Sequence, residues 1–193
     1  SRPRRHACVV SSIPTLGIRM DAEEWLQFGE ETNRIFRAIG GVVVSFQLLE
    51  LWVAEALGES LGMKAKDDRH LVSAAMSYRQ KVDLLFELYA RHGAPNPKVS
   101  PVVTKRAMLV AEEFRNRVVH SVWAVHGSDS KQWVRTKANL RGRAGFDVTT
   151  KPARAKLLEQ AVQSINTIRA WEEGNESELL KAIKTLSTLE ADA

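Results

Sequence analysis

Three residues with complementary chemistry lie within little more than one helical turn in the second half of the chain: Arg115, Asn116 and His120. At about 100° per residue in a helix, Asn116 and His120 share one face, and Arg115 lies at the edge of that face. A guanidinium, an amide and a titratable imidazole can together hold a phosphate and move a proton. The spacing therefore predicts a site for phosphate chemistry on one helix.

The helix that must position these residues has apolar side chains on two sides. One side forms a predicted core stripe of Val103, Ala107, Val110, Phe114, Val118, Val122 and Val125. Asn116 points away from that stripe. Its side of the helix also carries Met108, Leu109, Val119 and Trp123. Something is therefore expected to cover this second apolar side.

Two interpretations of the second side remain open. In one, the helix is central in its own bundle, and Asn116 and His120 are buried polar groups with hydrogen-bond partners. In the other, a second copy of the chain packs there and brings two copies of each site residue together across a two-fold axis. The predicted dimer interface then consists of Met108, Leu109, Val119 and Trp123.

The pattern Arg115-Asn116-x3-His120, with an apolar residue before the histidine and Trp123 shortly after it, resembles the R-x4-6-H signature of the HEPN superfamily. This superfamily consists of compact helical proteins, many of them metal-independent ribonucleases. The resemblance covers roughly residues 30 to 170, and only the motif in it is specific.

The resemblance implies a catalytic pair, Arg115 and His120, with Asn116 assisting. It implies an RNA substrate, cleaved by attack of the 2′-hydroxyl on the adjacent phosphate without a cofactor. It also implies a role as a toxin or in phage defence, with an antitoxin or regulatory protein as a further partner. Other HEPN proteins are noncatalytic, so the alternative is a helical interaction domain that binds RNA or a protein partner.

Helical periodicity predicts an all-α bundle of four or five helices, with a short hairpin or loop insertion after the third helix. A capping box of Asp21 and Glu24 opens the first helix, which continues through Gly40-Gly41 with a bend or break at that pair. Ser100-Pro101 supplies the N-cap and first-turn proline of the third helix, which carries the motif. With the motif resemblance, this implies that residues 20–193 form one HEPN-like domain.

A single second helix is predicted between the end of the first helix, marked by Gly58 and Gly62, and the motif helix. Its apolar face contains Leu71, Ala75, Tyr78, Val82, Leu85 and Tyr89. Proline residues after this stretch prevent the helix from continuing.

The predicted insertion, between Lys131 and Thr150, combines cations with aromatic rings. This combination suits single-stranded RNA, because phosphates pair with the charges and bases stack on the rings. The candidate RNA-binding residues are Lys131, Trp133, Arg135, Lys137, Arg141 and Arg143. The alternative is a solvated basic loop with Trp133 packed into the core.

Composition restricts the class of protein further. A chain of 193 residues suits one domain, and a formal net charge of +5 favours an anionic partner. The single cysteine, Cys8, excludes an intrachain disulfide and favours a reducing, cytoplasmic location. No membrane span is predicted. His120 and His126 lie six residues apart without carboxylates at metal-ligand spacing, so no metal site is expected.

The first 19 residues differ from the rest, since they contain four arginines and no acidic residue. Residues 1–19 are expected to be a poorly ordered N-terminal extension. The composition fits an organellar transit peptide, but an overextended start or a cloning remnant is the favoured explanation.

Overall fold

The computed structural model describes residues 22–126, 132–140 and 146–192, so the predicted extension at 1–19 lies outside the described residues. The described chain is mostly helical with one small sheet. Its elements are α1 (Ala22–Ser60), α2 (Lys66–Ala74), α3 (Tyr78–His92), α4 (Pro101–Val119), β1 (Val122–His126), β2 (Gln132–Leu140), β3 (Phe146–Pro152), α5 (Ala155–Arg169) and α6 (Glu176–Asp192). The helical fold class is confirmed in its coarse form, but six helices and a three-stranded sheet replace the predicted four or five helices and hairpin.

The long first helix is unbroken through the glycine pair. Gly41 lies where α1 meets α5: a Cβ atom there would be 3.0 Å from Cγ2 of Val162, so glycine lets the two helices approach closely. The side of α1 that faces the bundle is fully buried at Ile35, Phe46 and Val53. α1 is therefore the core helix of the fold.

The segment Gly29–Ser60 of α1 is also long and apolar enough to cross a membrane, by length and composition alone. No such segment was expected from the sequence. Burial of one side accounts for part of this apolar character, since a core helix passes the same test. Between Gly29 and Ser60, the outer side of α1 nevertheless leaves four large apolar side chains exposed: Phe36, Val44, Leu48 and Leu51.

The predicted second helix is two helices, because a capping box starts a new one in its middle. The Ser77 hydroxyl accepts a hydrogen bond from the Gln80 backbone N–H, and Gln80 Oε1 accepts one from the Ser77 N–H at 2.8 Å. These reciprocal bonds satisfy donors that a helix N-terminus otherwise leaves free. Leu71, predicted to be on the buried face, is 74% exposed on α2.

The sheet is an antiparallel meander in the order β1-β2-β3, where the sequence predicted a hairpin or loop. It docks on α1 through Trp133, whose indole Nε1 donates a hydrogen bond to Thr32 Oγ1 at 3.1 Å. The Trp133 ring also packs edge-on against Phe36, with ring centroids 5.3 Å apart. One face of the sheet is thus turned toward the bundle.

Candidate functional site

The site residues lie on the last turn of α4, which ends at Val119 with His120 as its C-cap. Three of the last carbonyl groups of this helix, those of Asn116, Arg117 and Val118, accept a hydrogen bond from a local donor. The bonds are His120 N–H to Asn116 O (3.0 Å), Ser121 Oγ–H to Arg117 O (2.5 Å) and Trp123 Nε1–H to Val118 O (2.9 Å). Because a helix end otherwise leaves such carbonyls free, these bonds fix the position of the C-terminal turn.

The structure brings two of the three motif residues to one side and places the third elsewhere. His120 is exposed and Asn116 is half-buried on the outer side of α4, about 40° away from it around the helix axis. Arg115 is half-buried and points about 140° away from His120, toward α1. Its guanidinium Cζ lies 4.4 Å from the centroid of the Phe46 ring. Arg115 and His120 therefore leave α4 in different directions.

Arg115 stacks on an aromatic ring, and no ion pair holds it in the part of the chain that the structure describes. The Phe46 ring beneath it packs against Tyr78, with ring centroids 4.8 Å apart. Within the described ranges, the Arg115 side chain makes no hydrogen bond or salt bridge. Stacking occupies the face of a guanidinium and leaves its in-plane N–H donors available, which suits binding of an oxyanion.

The half-buried carboxyl of Glu112 and the buried phenol of Tyr78 lie near Arg115. Burial raises the pKa of the Glu112 carboxyl, while the positive charges of Arg79 and Arg115 oppose that rise. Burial also raises the pKa of Tyr78, and the negative charge of Glu112 adds to it. The Tyr78 hydroxyl is buried without a hydrogen-bond partner among the described residues. The surroundings of Arg115 thus contain a carboxyl whose pKa burial raises above its usual value.

Sequence reasoning missed these neighbours. Glu112 could have been found, because it precedes Arg115 by three residues and shares its side of a helix. Phe46 and Tyr78 come from other helices, and no local pattern connects them to the motif.

The predicted dimer residues do not form one exposed surface. Met108 is fully buried in the bundle core, so its assignment to the interface is wrong. Leu109 is half-buried against the core, and Trp123 is half-buried on β1. Val119 alone of the four is an exposed apolar side chain, at 46%. Met108 is buried because of the orientation of α4. The buried face of this helix includes Met108, which the predicted core stripe left out.

The end of α4 also corrects the predicted core stripe. Val122 and Val125 belong to β1 and are exposed, so they are not part of a helical core face. Val103 and Val110 are half-buried, while Ala107, Phe114 and Val118 are buried as predicted. Since His120 is exposed, the interpretation that makes it a buried polar group is wrong.

The candidate RNA-binding residues are scattered. Lys131, Arg141 and Arg143 lie outside the described residues. Trp133 packs on α1, Lys137 is half-buried, and Arg135 is buried at 7% exposure. The expectation that Arg135 is a surface contact is therefore wrong, because its face of the strand is turned toward the bundle.

Among the described residues, no group of three or more His, Cys, Asp or Glu side chains is placed to hold a metal ion. The chain matches no protein-family model, no curated protein and no solved structure. Function must therefore be argued from the site itself.

Proposed function

We propose that the chain is a metal-independent endoribonuclease of the HEPN type, acting through Arg115, Asn116 and His120. The observation that carries the proposal is the pairing of an exposed imidazole at a fixed helix end with an arginine that stacks on Phe46 and makes no salt bridge in the described chain. These are the groups that phosphoryl transfer from an internal nucleophile requires.

In the proposed reaction, the RNA substrate supplies its own nucleophile. A His120 imidazole takes the proton from the 2′-hydroxyl as its oxygen attacks the adjacent phosphorus. The bond from phosphorus to the 5′-oxygen breaks, and a protonated imidazole returns a proton to that leaving oxygen. Arg115 stabilises the charge that develops on the phosphoryl oxygens, and Asn116 positions the phosphate. The products are a 2′,3′-cyclic phosphate and a free 5′-hydroxyl.

We further propose that a second copy of the chain completes the site. Arg115 and His120 project from one helix about 140° apart. For one phosphate to contact both an arginine and a histidine, either a second chain must supply one of them or the RNA must bend strongly. Exposed apolar side chains at Val119 (46%) and Val122 (67%) flank His120 and suit such a contact. A cytoplasmic toxin or phage-defence role, with an antitoxin as partner, belongs to this proposal.

Replacing Val119 with aspartate is expected both to yield a monomer and to abolish RNA cleavage. A charge beside His120 disfavours the contact between two chains that completes the site. Sedimentation velocity at micromolar concentration and a cleavage assay measure the two effects. Leu180→Asp is the matched control, since Leu180 is also exposed, at 47%, but lies on α6. A monomeric Val119→Asp protein with full activity would contradict the two-chain site.

One observation favours a second function. The exposed apolar side of α1, formed by Phe36, Val44, Leu48 and Leu51, suits contact with a partner helix. This fits a noncatalytic interaction domain that binds RNA or a protein. Binding of RNA by the purified chain without any cleavage would favour this function over the ribonuclease.

The test of the ribonuclease is cleavage of RNA by the purified chain in EDTA. Cleavage is expected to persist and to leave a 2′,3′-cyclic phosphate or its 3′-phosphate product, because His120 and Arg115 supply the acid-base and charge-stabilising groups. Mass spectrometry of the fragment ends identifies the product. Loss of activity on chelation, restored by a divalent metal ion, would contradict the mechanism.

A further inference from the structure

A cavity of about 550 Å³, here called the acidic cavity, lies where the C-terminal part of α1 meets the end of α3 and the chain just after α5. Two aromatic side chains line it, Trp52 from α1 and Tyr89 from α3. Three carboxylates line it as well: Glu55 and Glu59 from α1, and Glu172 after α5. Carboxylates attract cations by charge, and aromatic rings attract them through the negative face of the π system. The side chains around this cavity therefore suit a cationic ligand.

The chain compensates only part of the negative charge. Arg69 on α2 forms salt bridges with Glu55 (3.0 Å) and with Glu59 (3.5 Å). Glu172 forms no salt bridge or hydrogen bond within the described ranges. Burial raises the pKa of the Glu172 carboxyl, and the negative charges of Glu59 and Glu173 raise it further. While the three lining carboxylates are ionised, one guanidinium against them leaves an excess of two negative charges.

The phenol of Tyr89 is an independent feature that points to a ligand. The residue is only 9% exposed, and its hydroxyl has no hydrogen-bond partner in the part of the chain that the structure describes. Burial, together with the negative charges of Glu172 and Glu59, raises the pKa of Tyr89 to about 12. The hydroxyl therefore lies near these two carboxylates of the acidic cavity. Its oxygen can accept a hydrogen bond from a cationic N–H group placed between them.

Two helix ends add to the negative potential. α1 ends at Ser60 and α3 ends at His92, and both residues line the acidic cavity. The last carbonyl groups of a helix carry partial negative charge, which favours a nearby cation. The last turn of α1 contains no basic residue. Of the cavity's lining residues in the described chain, only His92 can become positive, so the lining itself supplies no permanent cation.

We propose that the acidic cavity binds an aliphatic polyamine, with one ammonium group at Glu172 and the Tyr89 hydroxyl, a second at Glu59, and methylene groups against Trp52. A cavity of this volume accommodates a small molecule. Two ammonium groups match the excess of two negative charges, which one amine does not. Mg²⁺ fits less well, because it keeps its water ligands and buries no apolar surface on the aromatic rings. This binding is separate from RNA cleavage and does not depend on the chain being a ribonuclease.

The test is isothermal titration calorimetry of the full chain with spermidine and with butylamine, at an ionic strength of about 0.15 M. Spermidine is expected to bind saturably and more tightly than butylamine, and Mg²⁺ at equal charge should not displace it. Glu172→Gln should weaken spermidine binding by about fivefold, the upper range for one exposed ion pair. Trp52→Leu should also weaken it, because this variant loses an aromatic wall. Glu87→Gln is the matched control, since Glu87 is an exposed carboxylate on α3 outside the cavity lining, and its affinity should equal that of the wild type.

Four outcomes would overturn the proposal. The first is the absence of saturable spermidine binding, and the second is butylamine binding as tight as that of spermidine. The third is displacement of spermidine by Mg²⁺ at equal charge, since the surface would then attract any cation. The fourth is an unchanged affinity in Glu172→Gln or in a folded Trp52→Leu protein. If Trp52→Leu does not fold, the comparison of Glu172→Gln with Glu87→Gln decides, because both carboxylates are exposed.

Discussion

Replacing His120 with alanine is expected to lower RNA cleavage by about 100- to 10,000-fold, the usual range for removing a general acid or base. The Tm should stay within about 1 °C of the wild type, because the imidazole is exposed and makes no side-chain hydrogen bond within the described chain. Single-turnover cleavage of a labelled RNA measures the first effect, and calorimetry measures the second.

The matched control for this substitution is His92→Ala, which removes an exposed histidine near the end of another helix, α3. Its cleavage rate should equal that of the wild type. Asn116→Ala should reduce RNA cleavage less than His120→Ala does, since an amide that only positions the phosphate transfers no proton. Undiminished cleavage by the His120 variant would remove the histidine from the mechanism.

Replacing Phe46 with alanine is expected to lower the free energy of unfolding by about 3–5 kcal/mol, the range for deleting a buried aromatic ring. Phe46 is fully buried, and its ring contacts both the Tyr78 ring and the Arg115 guanidinium. Urea unfolding followed by circular dichroism measures the loss. A variant as stable as the wild type would contradict this placement of Phe46 in the core.

The companion variant Phe46→Leu separates packing from positioning. Leucine keeps most of the buried apolar volume but removes the ring on which Arg115 stacks. The free energy of unfolding of Phe46→Leu should therefore be much closer to the wild-type value than that of Phe46→Ala. The rate of RNA cleavage should nevertheless stay well below the wild-type rate. Wild-type cleavage by Phe46→Leu would mean that the ring does not position the arginine.

The helices could be predicted from the sequence wherever capping residues and apolar periodicity match the packing of the folded protein. Ser100-Pro101 marks the start of α4 as expected, and the apolar period predicts α1 across Gly40-Gly41. The end of α4 was predicted too late, because a valine-rich helix and a valine-rich strand have similar compositions. Side chains of Ser121 and Trp123 cap the helix there, and β2 then pairs with the next residues.

The errors at individual residues have a common physical origin. Alternation along a strand tells which residues share a face, but not which face the rest of the protein covers. Arg135 was therefore predicted to be exposed, although its face is the covered one. Met108 was assigned to an outer surface in the same way, since both sides of α4 are apolar and a helical projection cannot show which neighbours pack where. Whether Arg115, Asn116 and His120 cleave RNA stays a prediction.

The junction between α4 and β1 has a mechanical consequence. Only His120 and Ser121 separate the last residue of the helix from the first residue of the strand, and the Trp123 indole ties the strand back to the helix. Trp123 is also the cross-strand partner of Arg135. His120 therefore lies on a short connection that is tied at both ends. A tilt of the sheet against the helices would change the direction of the His120 imidazole. The orientation of His120 is therefore coupled to the position of the three-stranded sheet, which docks on α1 through Trp133.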